Sequence, residues 1–248
     1  MLLLDNLEHL LPPPQPLPLQ EQGVEVITAL LQHAPAIKLL TTSRERLKVQ
    51  GEWVFEIGGL PVPPGDQTDE LEDYSATLLF LQSAQRAQVG LVLPVEERRA
   101  VARLCRLVEG MPLGIELAAA WVQTLSCQEI AQETERSLDF LAVSARDVPD
   151  RHRSIRAVFD HSWKLLSAEE QQVMRRLSVF RGGFRREAAE AVAEATLPLL
   201  SALIDKSLLR RTAANRYDLH ELVRQYAEAK LQDIPQEFET TRDRHSAY

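Results

Sequence analysis

The feature that most constrains the fold is a run of three leucines, Leu2–Leu4, followed directly by Asp5. An uninterrupted apolar run suits a strand that is covered on both faces, as in a parallel sheet. Residues 36–40 form a second short apolar run, and between the two runs apolar residues repeat at helical spacing from Val24 to Leu31. Strand, helix and strand in this order predict a right-handed βαβ unit with parallel strands.

Polar residues follow both predicted strands. Asp5 and Asn6 follow the first strand, and Arg44 ends the polar segment of residues 41–44 after the second. Because the carboxyl ends of parallel strands meet at one edge of a sheet, we expect Asp5 and Arg44 to border the same crevice. A carboxylate for Mg²⁺ and a guanidinium for phosphate are what a nucleoside triphosphate site needs. The alternatives are that Asp5 only opens the next turn and that Arg44 only forms a surface salt bridge.

The pattern changes from β-rich to helical along the next stretch. Residues 51–57 (GEWVFEI) predict the last strand of the sheet, and the glycine- and proline-rich residues 58–65 predict a linker. From Tyr74 the apolar spacing is helical, and a helix that starts at Pro94 places Cys105 on its buried stripe. These features predict a small helical domain after the sheet.

Two further helix starts are visible in this domain. Pro112 begins a helix of small residues that can pack closely. Ser126 and Glu129 have the spacing of a capping box, which predicts that the last helix of the domain starts there.

A third unit begins near residue 151. Ser154 and Ser167 are placed to cap two successive helices, and residues 181–184 (RGGF) have turn chemistry. Two short helices follow, and residues 207–219 then predict a β-hairpin. Helices followed by a hairpin predict a winged helix, after which His220 starts a final helix.

Four segments, taken in order, resemble signal-transduction ATPases of the STAND class. Residues 2–9 (LLLDNLEH) resemble the Walker B segment, and residues 38–44 (KLLTTSR) resemble the sensor motif. Residues 110–114 (GMPLG) are similar to the GLPL motif, and residues 219–221 (LHE) are similar to the MHD motif. Within the class, the chain most resembles bacterial regulators that join an NB-ARC-like module and a winged helix to a tetratricopeptide superhelix.

The resemblance implies a role for each motif residue. Asp5 would organise Mg²⁺, and Arg44 would read the γ-phosphate of ATP. Pro112 would pack on the adenine, and His220 would contact the β-phosphate of ADP. Asn6 stands at the catalytic position where many relatives carry a second carboxylate, which weakens the case for efficient activation of water. The parent family is a slow ATPase, so the implied function is an ADP/ATP-dependent conformational switch in a signal-transduction or transcriptional regulator.

Simpler roles stay open for two of these residues. Pro112 also suits the first turn of a helix, and this role is compatible with a contact to adenine. A histidine at a helix start is usually a cap or a surface residue, although the register of His220 with three other motifs favours the ligand role. Glu221 departs from the aspartate of the family motif, and its longer side chain moves the carboxylate.

The predicted fold class is α/β plus all-α, with the C-terminal part of a P-loop-type parallel sheet domain, a small helical bundle and a winged-helix domain. The nucleotide would be held between these domains. The predicted domains are the partial nucleotide-binding domain at residues 1–62, the helical domain at residues 63–148, the winged helix at residues 149–232 and the start of a linker or repeat region at residues 233–248.

The sequence contains no G-x-x-x-x-G-K-[ST] loop, which is the main phosphate cradle of such proteins. We therefore expect the chain to be part of a longer protein and to bind nucleotide weakly, if at all, by itself. The expected partners are the nucleotide, an N-terminal segment with the phosphate loop, a C-terminal repeat domain and further copies of the protein on activation.

The composition disfavours several other classes. The formal net charge of -8 argues against a chain that coats DNA or a membrane surface. The two cysteines lack zinc spacing, which fits a reducing cytoplasm, and no apolar run is long enough to cross a bilayer. The hydrolase motifs G-x-S-x-G and H-E-x-x-H are also absent.

The alternative to the switch is a winged-helix regulator that contacts DNA directly. Several arginines between residues 151 and 186 make this segment more basic than the whole chain. Glutamates at residues 169, 170, 187 and 190 interrupt the basic residues, and Gly182 and Gly183 suit a turn better than a recognition helix. Direct contact with nucleic acid is therefore the less favoured prediction.

Overall fold

The computed structural model describes residues 1–5, 7, 22–34, 36–65, 71–142, 154–212 and 214–248. The described chain is mostly helical, with a few short strands. In chain order its elements are β1 (Leu2–Leu4), α1 (Gln22–His33), β2 (Leu39–Thr41), α2 (Ser75–Ala87), α3 (Val95–Leu107), α4 (Pro112–Ala119), α5 (Cys127–Arg136), α6 (Ile155–Lys164), α7 (Ala168–Leu177), α8 (Arg186–Ala193), α9 (Leu197–Asp205), β3 (Arg210–Arg211), β4 (Tyr217–Asp218), α10 (Glu221–Gln232) and α11 (Pro235–Ala247). None of the described helices has the length and apolar character needed to cross a membrane.

The chain divides into two compact units. The first unit comprises residues 1–56, 162–219 and 234–248, and the second comprises residues 57–161 and 220–233. Packing within the chain defines these units, and the four domains anticipated from the sequence stay predictions.

In the first unit, β1 and β2 form a parallel pair joined by α1, which confirms the predicted βαβ order. Leu4 and Leu39 pack against a small core of buried Leu7, Ile27 and Leu47. The expectation that β1 is covered on both faces is wrong. Alternate residues of a strand face opposite sides, and on the other side the paired residues at positions 3 and 40 are 60% and 52% exposed.

The strand predicted for residues 51–57 is absent. The described sheet contains only β1 and β2, and residues 52–57 have no regular secondary structure. Trp53 and Phe55 are 96% and 89% exposed. Aromatic and β-branched residues favour an extended backbone, but a strand also needs a neighbouring strand whose hydrogen bonds satisfy its backbone groups. A wider sheet of the P-loop type therefore stays a prediction.

The first unit also contains helices α7 to α9 and the hairpin of the winged helix. The predicted capping box at Ser167 is confirmed, because its hydroxyl accepts the N–H of Glu170 at the start of α7. The predicted hairpin is present as the antiparallel pair β3–β4, and Phe184 adds a bridge to Tyr217. Helix α11 lies against α7 and α8, where the Glu237 carboxylate binds two arginines.

The second unit is a helical bundle in which α3 packs on α5 and α2 packs on α4. The capping box of Ser126 and Glu129 begins α5, and Pro112 occupies the first turn of α4, both as predicted. Cys105 is fully buried in the core, also as predicted. Helix α10 joins this unit, where the Tyr226 hydroxyl donates a hydrogen bond to Asp160 at 2.5 Å.

Candidate functional site

Asp5 lies at the carboxyl edge of the parallel pair, next to Thr42. The backbone continues the ladder there, because the N–H of Thr42 donates to the carbonyl of Leu4 at 3.0 Å and the N–H of Leu7 donates to the carbonyl of Thr42 at 2.9 Å. The Thr42 hydroxyl donates to Oδ1 of Asp5, whose side chain is exposed. Thr42 therefore positions the carboxylate.

The second catalytic candidate, Asn6, lies outside the described residues. Among the residues that are described, no three His, Cys, Asp or Glu side chains form a cluster that could hold a metal ion. A single carboxylate still suits Mg²⁺, which usually takes one or two protein carboxylates and completes its shell with phosphate oxygens and water. A Mg²⁺ ion at Asp5 would therefore need the nucleotide phosphates for its other ligands.

Arg44 belongs to a segment that we call the sensor loop, residues 42–48. Its Nη1 donates a hydrogen bond to the Oγ of Ser162 on α6 at 2.7 Å. Two further cations of the loop reach Asp205 at the end of α9, with Nζ of Lys48 at 2.9 Å and Nε of Arg46 at 3.7 Å. The sensor loop therefore contacts two helices of the predicted winged helix. Sequence reasoning did not identify Ser162 or Asp205 as partners of the sensor loop, because both lie more than 100 residues from it.

His220 caps the start of α10. Its Nδ1 accepts the backbone N–H of Leu222 at 3.1 Å, as expected for the simpler of its two roles. The same nitrogen lies 4.0 Å from Oε1 of Glu109, which also accepts the backbone N–H of Glu221 at 3.1 Å. Glu109 immediately precedes the GLPL-like segment that contains Pro112. The structure therefore joins the GLPL-like turn to the MHD-like helix start, through a glutamate that sequence reasoning missed.

The carboxylate of Glu221 forms a hydrogen-bonded ion pair with Arg224. Its two oxygens accept Nε and Nη2 of Arg224 at 2.9 and 2.8 Å, and Glu228 accepts Nη1 at 2.7 Å. The guanidinium is buried, and its hydrogen bonds to Glu221 raise the pKa of Arg224 well above its usual value despite the opposing effect of burial. Glu221 therefore stiffens the first turns of α10.

The four residues expected to meet at one nucleotide are divided between the two units. Asp5 and Arg44 belong to the first unit, and Pro112 and His220 belong to the second. Pro112 is exposed at the start of α4. The convergence of all four on one ligand stays a prediction.

Comparison with known proteins identifies the winged helix. A family model described as a winged helix-turn-helix domain matches residues 166–232, which span α7 to α10 and the hairpin. The chain therefore contains a winged-helix domain, as the order of helices and hairpin predicted. This match covers a minority of the chain.

Longer relatives match nearly the whole chain. A protein of Mycobacterium tuberculosis strain H37Rv named "Putative HTH-type transcriptional regulator" is 35% identical over 243 residues, which cover 94% of this chain and 25% of the relative. An uncharacterized protein of the same strain is 31% identical over 244 residues, with 94% of this chain and 57% of the relative covered. The chain thus spans between about a quarter and somewhat over half of the length of these relatives.

One solved structure also aligns with the chain. It is a signal transduction ATPase with numerous domains (STAND) with a tetratricopeptide repeat sensor from Pyrococcus horikoshii. The alignment covers 97% of this chain and 29% of that protein, at 17% identity and a TM-score of 0.32.

Proposed function

We propose that the chain is the nucleotide-dependent switch module of a longer signal-transduction or transcriptional regulator. In this proposal Mg²⁺ binds at Asp5, Arg44 reads the γ-phosphate of ATP, and His220 contacts the β-phosphate of ADP. Pro112 supports the adenine. A switch of this kind requires that ADP and ATP bind two conformations with different affinities.

The observation that carries the proposal is the position of the sensor loop. One end of the loop holds Asp5 through Thr42, its middle binds Ser162 through Arg44, and its other end binds Asp205. A phosphate that attracted Arg44 would therefore compete with the contact to α6. Because charge-assisted bonds to phosphate are stronger than a bond to a neutral hydroxyl, such competition favours release of Ser162.

Exposed apolar residues of the first 57 residues also support a place in a longer protein. Trp53 and Phe55 are 96% and 89% exposed, and Val54 between them is 48% exposed. Several large exposed side chains in one segment are typical of surface that another element covers. In this proposal a segment of the longer regulator that carries the phosphate-binding loop packs there.

The test uses the longer regulator with its phosphate-binding loop, and it measures ADP and ATP affinities by calorimetry in the presence of Mg²⁺. We expect Arg44→Ala to weaken ATP binding by about tenfold or more while ADP binding changes little, because only ATP has the γ-phosphate. Lys38→Ala, which removes an exposed cation near the same strand, should change neither affinity.

A complementary variant tests the ADP-bound state. His220→Ala should weaken ADP binding and leave ATP binding nearly unchanged, because in this proposal the histidine meets only the ADP-bound form. Equal losses for both nucleotides in Arg44→Ala, or unchanged ADP affinity in His220→Ala, would show that the two residues do not distinguish the nucleotides.

A second candidate function is direct DNA contact by the winged helix. It is supported by the winged helix-turn-helix match at residues 166–232 and by the transcriptional-regulator name of a relative. DNA contact and a nucleotide switch are compatible in one regulator. A gel-shift or anisotropy measurement with duplex DNA over a range of salt concentrations tests it, because neutralised phosphates give a steep salt dependence.

A further inference from the structure

The wing of the winged helix brings together arginines from two separate segments. The bridge between Phe184 and Tyr217 places residues 181–186 beside the β3–β4 hairpin. Arg216 strengthens this junction by donating a hydrogen bond to the carbonyl of Gly183 at 2.7 Å. The arginines of this basic wing surface are Arg181, Arg185, Arg186, Arg210, Arg211 and Arg216.

Three of these side chains are available to a partner. Arg181, Arg185 and Arg186 are exposed, and none forms an ion pair or a side-chain hydrogen bond with any residue that the structure describes. The acidic residue of these two segments is Asp218, which pairs with Arg210 at 2.7 Å, and the exposed Glu187 follows directly after them. Positive charge therefore dominates this surface, although the whole chain is acidic.

The third helix of the domain, α9, has a different character. It contains no lysine or arginine, and its exposed residues are Leu197, Pro198 and Ser201. Base edges in the major groove are read mainly by arginine, lysine, asparagine and glutamine. The one charged residue of α9, Asp205, is acidic and paired with Lys48 at 2.9 Å. The helix that reads bases in helix-turn-helix proteins therefore lacks the side chains for that task.

We propose that the basic wing surface binds the phosphodiester backbone of duplex DNA without reading its sequence. Exposed guanidiniums that have no partner among the described residues suit phosphate oxygens, and phosphate contacts position a protein without selecting bases. This inference goes beyond the nucleotide switch. It specifies the second candidate function, on which it rests, by assigning the contact to the wing and excluding base readout by α9.

The experiment measures fluorescence anisotropy of the chain with two unrelated DNA duplexes of about 20 bp, at salt concentrations from about 50 to about 200 mM. Both duplexes should bind with similar affinity. In the triple variant R181Q/R185Q/R186Q three phosphate contacts are lost. The dependence of log affinity on log salt should therefore become less steep by about 3, and binding should weaken by about tenfold or more. The substitutions at Arg185 and Arg186 also remove positive charge from the start of α8, and all three positions are exposed, so the fold should not suffer.

Two control variants distinguish a loss of DNA binding at the wing from an effect of net charge and from an effect of α9. R86Q/R99Q/R103Q removes the same charge from exposed positions on α2 and α3 of the other unit, and it should leave the salt slope unchanged. Ser201→Ala, which removes the exposed hydroxyl of α9, should also bind normally. Equal weakening by both triple variants would overturn the assignment to the wing.

The remaining outcomes distinguish the two proposals. Duplex binding that is insensitive to R181Q/R185Q/R186Q would overturn the wing assignment and leave the second candidate function standing. Absence of duplex binding would overturn both. Tighter binding to duplex RNA or to polyglutamate than to duplex DNA would overturn the choice of partner, as would a strong preference for one of the two DNA sequences.

Discussion

Oε1 of Glu109 accepts the backbone N–H of Glu221 at 3.1 Å, across 112 positions of sequence. Glu109 lies in the turn after α3 with a left-handed backbone (φ 47°), and Glu221 opens α10. The first N–H groups of a helix lack partners within the helix and attract negative charge. Glu109 thus supplies, from a distant turn, the hydrogen-bond acceptor that a neighbouring capping residue usually supplies to the start of a helix.

We predict that Glu109→Ala lowers the free energy of unfolding by about 1–2 kcal/mol, because α10 loses an acceptor at its start. Glu109→Gln keeps an acceptor oxygen and should cost about 0.5 kcal/mol or less. Glu116→Ala removes an exposed glutamate of α4 and serves as the control, with almost no effect expected. Urea unfolding measures all three. Equal losses for the Ala and Gln variants would mean that charge, and not the hydrogen bond, matters.

Gly110 marks a close crossing between the turn after α3 and the linker. Its φ is +69°, and a Cβ atom there would lie 2.1 Å from the carbonyl oxygen of Leu60. Gly90 has a similar φ of +78°, but a Cβ atom would meet nothing within 4 Å. The two positions therefore share the backbone conformation and differ in the space around it.

We predict that Gly90→Ala costs about 1 kcal/mol of stability, which is the penalty of the left-handed backbone alone. Gly110→Ala should cost about 3 kcal/mol or more, because the clash with backbone adds to that penalty. The comparison is made by chemical unfolding of both variants. Similar losses for the two would show that the linker moves away from the turn at little cost.

Glu237 fixes α11 to the winged helix. Its carboxylate accepts Nε of Arg175 at 2.9 Å and Nε of Arg176 at 3.0 Å, and all three side chains are at most 15% exposed. Phe180 adds an edge-on contact with His245 of the same helix, at 5.0 Å between ring centroids. A mostly buried carboxylate between two guanidiniums is costly to disrupt, because loss of one partner leaves charge unpaired.

We predict that Glu237→Gln destabilises the chain by about 2–3 kcal/mol, since neutralising the carboxylate leaves the buried Arg175 without a counter-charge and leaves Arg176 with only the more exposed Glu194. The exposed Glu239, two positions along the same helix, gives a matched control, and Glu239→Gln should change stability by less than about 0.5 kcal/mol. Thermal unfolding followed by circular dichroism compares the two. A Glu237→Gln variant as stable as the control would mean that solvent screens the cluster.

Local sequence signals predicted much of the fold. The capping residues Ser126 and Ser167 fixed two helix starts, and the apolar runs around Leu3 and Leu40 gave a parallel pair. Each of these signals acts over a few residues or through one connection. The failed strand at residues 51–57 shows the limit of such signals, because its residues favour a strand but its pairing depends on a partner strand.

The candidate site was predictable only in part. The end of β1 and the residue after it are local features, so the position of Asp5 followed from the sequence. The partners of the motif residues did not, because Ser162, Asp205 and Glu109 carry no pattern that distinguishes them from other surface residues. Their roles come from tertiary contacts that span about 110 to 160 positions.

The two buried cysteines make the stability of the folded chain fall at alkaline pH. Burial raises the pKa of the Cys105 thiol from its ordinary value of 9.0 to about 12, and burial together with the Glu97 carboxylate raises the pKa of Cys127 to about 12. Both thiols are neutral in the native state at pH values where the unfolded chain has begun to ionise them. Stability is therefore fully present below pH 9 and is lost as the pH rises from about 9 towards 12.

We predict that the free energy of unfolding of the wild type falls between pH 9 and 10.5 more steeply than that of Cys105→Ala, by about 1 kcal/mol per pH unit. Cys127→Ala should flatten the curve by a similar amount, because the pKa of its thiol is raised to the same value of about 12. Other groups titrate equally in all three proteins, so the comparison of slopes isolates the thiols. In the native state at pH 8 neither thiol should react with a thiol reagent, whereas both should react in urea. Identical slopes, or fast labelling of the folded chain, would show that these side chains reach solvent.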